Sequence, residues 1–599
     1  MNRRLAGGWR QRSVMIVSCL GLSFLAGVLL AGCTVIPTGT ELTSWSRPLS
    51  VTDPDNVVVS IEGPAQGGQP ADIIDGFLVS LSNYEPSYTT ARQFLTADLA
   101  VSWQPEAMVR VYSGLGDLNT TLLDHQTAQV RLQSLSLIGQ VDSAGIYTAV
   151  PEQVAEAIEF KLVQADGEWR ISELPPGLGS LMTQTRFHDV YQTVNTYFFA
   201  DQDDVLVPDI RYLPDGDWLR QPLEALLAGP SPWLAPITDS AWLADISLAA
   251  TPQMDAGVVD IPLALTEPLD AARATELALL CAANLRHLPG IIAVRLMVEG
   301  EPVGLDHPPI VIAGQSVPGS LAVTSVDDVN PDVVGRAIHL QTVARQGKIT
   351  RLDTGLLFSN RQWGNRTITG LAVDASAWKR VAVVTSHGVH FGTLETQTGM
   401  HRLALRGAVR PQFDRQGRLW VMAATARGTD VRLAQAGQVE TLAAPALDGL
   451  TIRNFRLAPD GRRMVVVAET IGEGQRQTRL GLVQVVWRDG QASLEHWRDI
   501  SLEFAGLALP TVTDVAWWGQ STISVIATTD PSNMNSVYNV DINGLTAPYV
   551  VGRPGSAPLV SLSVAANGDL FVLDQAGEVF SWRNTGTWIR LTTEATALS

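Results

Sequence analysis

A chain of 599 residues, 46% hydrophobic and 17% charged, is long enough for several domains and apolar enough to bury a core in each, which excludes a disordered polypeptide. Its net charge of −18 excludes the basic surface that nucleic acid selects and a direct hold on anionic lipid headgroups.

The chain opens with Arg3, Arg4, Arg10 and Arg12 and no acidic residue, then runs uncharged from Ser13 to Leu30. Leu30-Ala31-Gly32-Cys33 follows and reads as a lipobox. Small residues at 31 and 32 fit a signal-peptidase cleft, and the thiol accepts a diacylglyceryl group. We therefore expect residues 1–32 to be a lipoprotein signal peptide and Cys33 to become an N-acyl, S-diacylglycerol cysteine. The competing reading is an uncleaved signal anchor with an incidental cysteine. A stop-transfer helix is normally followed by a basic flank, whereas Thr34-Val35-Ile36-Pro37-Thr38-Gly39 is uncharged. Arg3-Arg4 lacks the apolar residues that would mark twin-arginine export. Each buried methylene contributes about 0.8 kcal/mol, so two acyl chains hold firmly where one holds weakly. The expected location is the extracytoplasmic face of the cell membrane, anchored by lipid and not spanning.

Cys19 leaves with the signal and Cys33 takes lipid, which leaves Cys281 without a disulfide partner. It sits in an apolar run and reads as a buried structural thiol. Residues 33–57, rich in Thr, Ser and Pro, read as the lipidated tether.

A first domain is expected over 58–183. Ile73, Ile74, Phe77, Leu78 and Leu81 recur at helical spacing, and Tyr88 to Leu99 continues helical. Strand-like alternation follows at 107–112, 128–132 and 156–162, and Asp166-Gly167 makes a tight turn before Glu168. Helices followed by a curled antiparallel sheet suggest an α+β cone. A second, mixed α/β domain is expected over 187–305. It holds a hairpin-like Leu206–Leu213, a short helix from Leu219 to Leu227 ended by Gly229-Pro230, and a helix capped by Asp270 that runs to about Leu288. From 335 to 599 helical periods disappear. A degenerate repeat appears at Leu371–Asp374, Pro411–Gly417, Leu457–Gly461, Val515–Gly519 and Val564–Gly568. Its spacing of 40–60 residues is that of propeller blades, whose radial packing leaves few exposed edges. The fold class is thus multidomain α+β and all-β, with two small α+β domains before a C-terminal β-propeller of five or six blades.

These residues resemble a known family. Gly76-Phe77-Leu78, Ala91-Arg92-Gln93-Phe94-Leu95-Thr96, Trp103, Gly167–Ile171 and Pro175-Pro176-Gly177-Leu178 look like the first domain of the actinobacterial LpqB lipoproteins. Leu206-Val207-Pro208-Asp209 and Leu226-Leu227-Ala228-Gly229-Pro230-Ser231-Pro232-Trp233-Leu234 look like that family's spore-germination (GerMN) domain, and the β-rich remainder looks like its propeller. The resemblance covers essentially the whole length. It implies a regulatory role beside the MtrA–MtrB two-component system, through the extracytoplasmic part of the sensor histidine kinase, in cell-wall homeostasis and division. It supplies no catalytic residue.

The residues themselves carry little chemistry. Nucleophile-elbow, phosphate-loop, His-Glu-x-x-His and Cys-x-x-Cys motifs are absent from the sequence. His387 and His390 would point to opposite faces of a strand, which suits a shared metal poorly. Asp201, Asp203 and Asp204 lack the glycine and terminal glutamate of a calcium loop and read as a solvated turn. Trp233 reads as a core anchor with a recognition aromatic as the alternative. Of Trp517 and Trp518, one ring is expected between blades and the other free for a sugar or partner. Asn119-Thr120-Thr121 and Asn365-Arg366-Thr367 match a glycosylation pattern that a bacterial lipobox makes idle. No enzyme activity, metal or cofactor is expected. The expected partners are membrane lipid through Cys33 and a sensor-kinase ectodomain. A glycan- or peptide-binding lipoprotein of the cell wall, without a kinase partner, is the alternative, and a wall hydrolase ranks behind both.

Overall fold

A computed structural model describes residues 62–304 apart from 82–85, 115, 151–154 and 204. It also describes short strands between 311 and 325, and residues 342–599 apart from 347, 353–356, 359–365, 375–379, 394–399, 427, 473–474, 505–506, 531–533, 566 and 584–585. Cys33 and the whole proposed signal and tether lie outside these residues.

The Pro70–Leu81 helix buries Ile73, Ile74, Phe77, Leu78 and Leu81 along one stripe against a sheet of seven strands. They are β1 (Met108–Tyr112), β2 (Leu118–Leu122), β3 (Thr127–Asp142), β4 (Tyr147–Ala149), β5 (Ala155–Ala165), β6 (Glu168–Glu173) and β7 (Ser180–Thr183). The order is β6-β5-β3-β1-β7, with β2 and β4 also paired to β3. The β1–β7 pair is parallel; the others are antiparallel. β3 is long enough to serve two neighbourhoods. Its first half pairs with β2 and β5, its second with β1 and β4, and irregularities at Leu132/Leu135 and opposite Val111/Tyr112 turn it between them.

Two features of the first domain follow from its motif residues. A Cβ on Gly76 would stand 2.6 Å from the Phe94 ring, so glycine lets that ring lie on the helix. Trp103 packs against Phe77 at 5.5 Å and Tyr88 at 5.8 Å, and its Nε1 donates to Gly179 O at 2.9 Å. The continuous helix expected from Tyr88 to Leu99 is corrected: helix occupies Thr89–Arg92 and Ala97–Ser102. Between them Ile171 N donates to Phe94 O and Thr96 N donates to Ile171 O. Pairing with β6 takes that backbone out of the helix.

The Gln184–Val190 helix leads into a long antiparallel hairpin, β8 (Tyr191–Phe199) and β9 (Leu206–Pro214). A six-stranded sheet follows, containing β10 (Ile246–Leu248), β11 (Gln253–Asp255), β12 (Val258–Leu265) and β13 (Ala293–Val298). The Ala271–Leu285 helix crosses over between the parallel strands β12 and β13. Asp270 caps it by accepting from Arg273 N at 2.8 Å. Asn284 on this helix clamps the hairpin: it accepts from Tyr197 N at 2.9 Å and donates to Tyr197 O at 3.2 Å.

Six four-stranded sheets make up the C-terminal region. Blade one takes its innermost strand, Ala595–Leu598, from the far end of the chain and pairs it with Thr342–Arg345. The innermost strands of blades two to six are Gly370–Val373, Gln412–Phe413, Thr451–Leu457, Thr511–Trp517 and Leu559–Val564. Each pair of neighbouring sheets shares an apolar cluster, and one such cluster joins the last sheet to the first through Leu573, Val579, Val343 and Leu598.

The degenerate repeat marks the turn after the innermost strand, and in blades three and four an aspartate there accepts from the turn's N–H groups and from an arginine at the start of the second strand. Asp414 takes Gln416 N, Arg418 N and Arg418 Nε. Asp460 takes Arg462 N, Arg463 N and Arg463 Nε. The same turns latch blade to blade. Arg380 Nη1 donates to Gly417 O at 2.8 Å, Arg418 stacks 3.7 Å above Trp487, and Arg463 Nη2 donates to Gln520 O at 2.8 Å.

The two N-terminal modules pack on blades four and five. Phe187 stacks on Tyr191 at 4.6 Å and leans on Tyr212 at 5.4 Å. These rings join Val109, Val111 and Met182 to Leu509, Ile542 and Leu545 of the propeller in one apolar cluster. Arg211, fully buried, donates to Asp209 at 2.8 Å, to Ala144 O at 3.1 Å and to Gly229 O. Asp209 in turn accepts from Ser231 N at 2.6 Å and Ser231 Oγ at 3.0 Å. Breaking a buried pair by deleting one partner costs about 3–5 kcal/mol. Asp209→Ala is therefore expected to split the unfolding of the body into separate transitions, read by differential scanning calorimetry.

Tyr212 OH donates to Asp541 Oδ2 at 3.3 Å across the same junction. Desolvation holds the Asp541 carboxyl above its ordinary value of 3.8. The folded state thus keeps a proton that the unfolded chain releases, and this contribution is complete below 3.8 and lost as pH rises through the folded-state pKa. Asp541→Asn, which keeps an acceptor for Tyr212 and removes the charge, is expected to melt above the parent at pH 8. The difference should narrow toward pH 4; a constant difference would contradict this account.

Candidate functional site

The propeller axis holds a cavity of about 30 Å³, room for roughly two waters. It lies where the innermost strands end, and every blade contributes to its wall: Val373, Gln412, Arg456, Trp517 and Val564 from blades two to six, and Ser599 beside blade one. In blades four, five and six the innermost strand slips register at one equivalent place, between Ile452 and Asn454, Val512 and Asp514, and Leu559 and Ser561. The skipped residues Arg453, Thr513 and Val560 are exposed. The bulges re-aim Asn454, Asp514 and Ser561 toward one another.

Two arginines meet this trio. Arg410 reaches across the axis, donating to Ser561 Oγ at 2.8 Å, Leu562 O at 2.8 Å and Leu598 O at 3.2 Å. Its guanidinium lies 3.8 Å from Asp514. Arg456 donates through Nη1 to Asn454 Oδ1 at 2.8 Å and to Phe455 O, while its Nη2 sits 3.5 Å from Asp514 Oδ1. Asp514 also accepts from Val515 N at 2.8 Å, Leu562 N at 2.7 Å and Asn454 Nδ2. Burial pushes the Asp514 carboxyl up and the Arg410 guanidinium down. Gln412 pairs with the backbone of Leu457 in both directions, at 2.8 and 3.1 Å, and Trp517 Nε1 donates to Arg456 O at 3.0 Å. The cavity beside the cluster is lined by both polar groups, among them Gln412, Ser563 and Ser599, and apolar ones, among them Leu371, Val373 and Val564. Among the described residues no group of three or more His, Cys, Asp or Glu stands where it could hold a metal.

The residues singled out by sequence fall elsewhere. Cys281 is buried in the Ala271–Leu285 helix, and burial pushes its thiol up to about 12, as a structural cysteine requires. His387 and His390 do not share a strand: His387 lies in the turn before the Gly388–Thr393 strand and is 3.0 Å from Ser386 Oγ. The turn at Asp201 and Asp203 is not freely solvated, because Arg462 of blade four donates to Asp201 O at 2.6 Å and lies 3.8 Å from the Asp203 carboxylate. Asp204 and Asn365 are outside the described residues; Asn119 is on β2.

Trp233 is half-buried and packs against the apolar clusters at the module junction, as the core reading expects, and is not a free aromatic. It wedges between the second module and blade four, donating to His496 O at 3.1 Å beneath the Arg498 guanidinium at 4.8 Å. Trp517 and Trp518 both serve blade contacts. Trp517 bonds back to blade four, and Trp518 Nε1 donates forward to Gly568 O of blade six at 3.2 Å, so Trp518 is not the free ring expected. The arginines and Asp514 of the axis escaped sequence reasoning. Their signal was a charge inside an apolar strand just before a repeat turn.

Comparison with known proteins agrees with this layout. The model of the N-terminal domain of lipoprotein LpqB matches residues 63–188, the sporulation and spore germination model matches 195–304, and the LpqB β-propeller model matches 362–597. Lipoprotein LpqB of Cutibacterium acnes is 26% identical, with 94% of this chain and 95% of the relative covered. LpqB of Streptomyces coelicolor is 27% identical over 90% of both, and that of Thermobifida fusca is 26% identical over 90% and 91%. The matched family models and these relatives are named for the LpqB lipoproteins and for spore germination. With its three modules matched in order and its relatives aligned over nearly their full length, the chain belongs to the LpqB lipoprotein family.

Proposed function

We propose that this protein is a lipid-tethered, extracytoplasmic binding protein that docks and modulates a sensor histidine kinase of the MtrA–MtrB type in cell-wall homeostasis and division. Family membership supports lipid anchoring, and the lipobox assigns it to Cys33. Among the described residues no helix is long and apolar enough to cross a membrane. Cys33→Ser is expected to move the protein from the membrane fraction into the soluble extracytoplasmic fraction, followed by immunoblot. Retention in the membrane would favour an uncleaved anchor.

The observation that carries the docking reading is the rim of the propeller. The outermost strands of the adjacent blades five and six, Tyr549–Gly552 and Thr587–Thr592, expose Tyr549, Val550, Ile589 and Leu591, each more than two-fifths accessible. Outermost strands that carry exposed apolar side chains are ordinarily blunted by charge or covered, and such side chains suit a protein partner. Residues 38–599, purified without lipid, are expected to bind the kinase ectodomain saturably. The double substitution Tyr549→Glu, Ile589→Glu is expected to weaken binding at least roughly tenfold with the melting temperature unchanged, measured by biolayer interferometry. Absence of binding, with retention on purified peptidoglycan, would replace this reading by the wall-ligand one.

A further inference from the structure

We propose that the tip of the β2–β3 hairpin, Leu122 and Leu123, inserts into the lipid surface that holds the protein's own anchor. The proposal rests on lipidation of Cys33 as argued above, and it does not depend on a kinase partner.

Three observations converge on the bilayer as the occupant. First, the tip is apolar where its strand is not. β2 exposes Asn119, Thr120 and Thr121, then ends in Leu122 and Leu123, which are 65% and 60% accessible. The turn is closed on itself: Leu123 N donates to Thr127 O at 3.0 Å, and the Asp124 carboxylate accepts from Gln126 N at 2.7 Å and Thr127 N at 2.8 Å. These bonds fix the turn and hold the two leucines out in solvent. Second, the chain enters the body at this end. Gln164 N donates to Gln126 O at 2.9 Å, which sets the β2–β3 turn beside the β5–β6 turn. Glu168, just after that turn, accepts from Gly67 N at 2.9 Å through its carboxylate. The chain that starts from lipid at Cys33 therefore arrives at the end of the sheet that carries the leucines. Third, the opposite end of the same sheet is occupied. β3 runs from Thr127 beside the tip to Asp142, a contour of roughly 50 Å. Just beyond it, Ala144 and Gly145 bond to Arg211 and Tyr212 of the second module.

These features select how the surface is held. The turns at this end, 122–127 and 164–168, carry Asp124, Asp166 and Glu168 and no Lys or Arg. Attraction to anionic headgroups therefore supplies nothing, and the contact is apolar. Two leucines alone hold weakly, but the anchor already confines the body to the surface, so the second contact is intramolecular. The leucines reach the boundary between headgroups and acyl chains, the depth at which amphipathic surface elements settle. The body then stands on its first module.

Cys281 is buried and Cys33 is acylated, so Leu123→Cys in the lipidated full chain offers one thiol to an environment-sensitive fluorophore. The labelled protein would be reconstituted on phosphatidylcholine vesicles that carry a spin-labelled acyl chain as quencher. Val439→Cys, on the outermost strand of blade three, is the reference position. The probe at 123 is expected to be blue-shifted and quenched, and the probe at 439 is not. Molar salt is expected to leave the quenching at 123 unchanged, because apolar burial is not screened. Adding Leu122→Glu to the labelled chain is expected to abolish most of it. Flotation with the vesicles reports the anchor separately. A protein that floats without quenching at 123, equal quenching at both positions, or full quenching retained with Leu122→Glu would overturn the proposal and leave the anchor standing. A protein that does not float would overturn the anchor reading and this proposal with it.

Discussion

The rest of the architecture depends on one buried charge. Arg211 lies in the middle of β9, with its guanidinium fully enclosed, and desolvation lowers its pKa despite Asp209 beside it. A guanidinium in that position is tolerable only when most of its donors are matched; here Nη1 and Nη2 are, and Nε has no partner among the described residues. It bonds to the first module at Ala144, to its own strand at Asp209, and to the Gly229 turn of the second module. The next residue, Tyr212, faces the propeller at Asp541. Two adjacent side chains on one strand therefore commit three modules to a single arrangement. The specificity of that arrangement comes from polar groups with one satisfactory geometry, and its strength from the surrounding rings of Phe187, Tyr191 and Tyr212.

The propeller solves a different problem. Its blades are small sheets that cannot bury both faces alone, so stability resides between blades. Apolar clusters supply most of it, and the aspartate turns supply registration. Asp414 and Asp460 each fix the arginine that reaches or stacks on the next blade. In blades two to four the repeat keeps an acid, a turn and a base at the right distance while the strand residues between them drift, and in blades five and six the turn is kept without the acid. This is the physical reason the repeat is degenerate in sequence and regular in three dimensions.

Much of the fold was legible because local chemistry and global packing agree. The stripe Ile73, Ile74, Phe77, Leu78, the Asp270 cap and the Asp166-Gly167 turn each announce the element they form. What escaped depends on contacts distant in sequence. Phe94 to Thr96 leave the helix because β6, more than seventy residues on, offers them backbone partners. Trp233 had the hydrophobicity of a core residue, yet the surface it fills belongs to blade four, more than two hundred and fifty residues away. The axial cluster escaped for a subtler reason. A one-residue slip inverts which side chain faces inward, so simple alternation assigns Asn454, Asp514 and Ser561 to the wrong face unless the bulges are known.

The axis and the module junction are joined by a short run of packed groups. Arg456 O accepts from Trp517, whose ring lies 5.1 Å from the Arg463 guanidinium. Arg463 is bound to Asp460, and the neighbouring Arg462 holds the Asp201–Asp203 turn of the second module. Each link is a hydrogen bond, an ion pair or a ring contact. The axis and the N-terminal modules are therefore joined through blade four by polar and aromatic contacts on consecutive residues, Arg462 and Arg463.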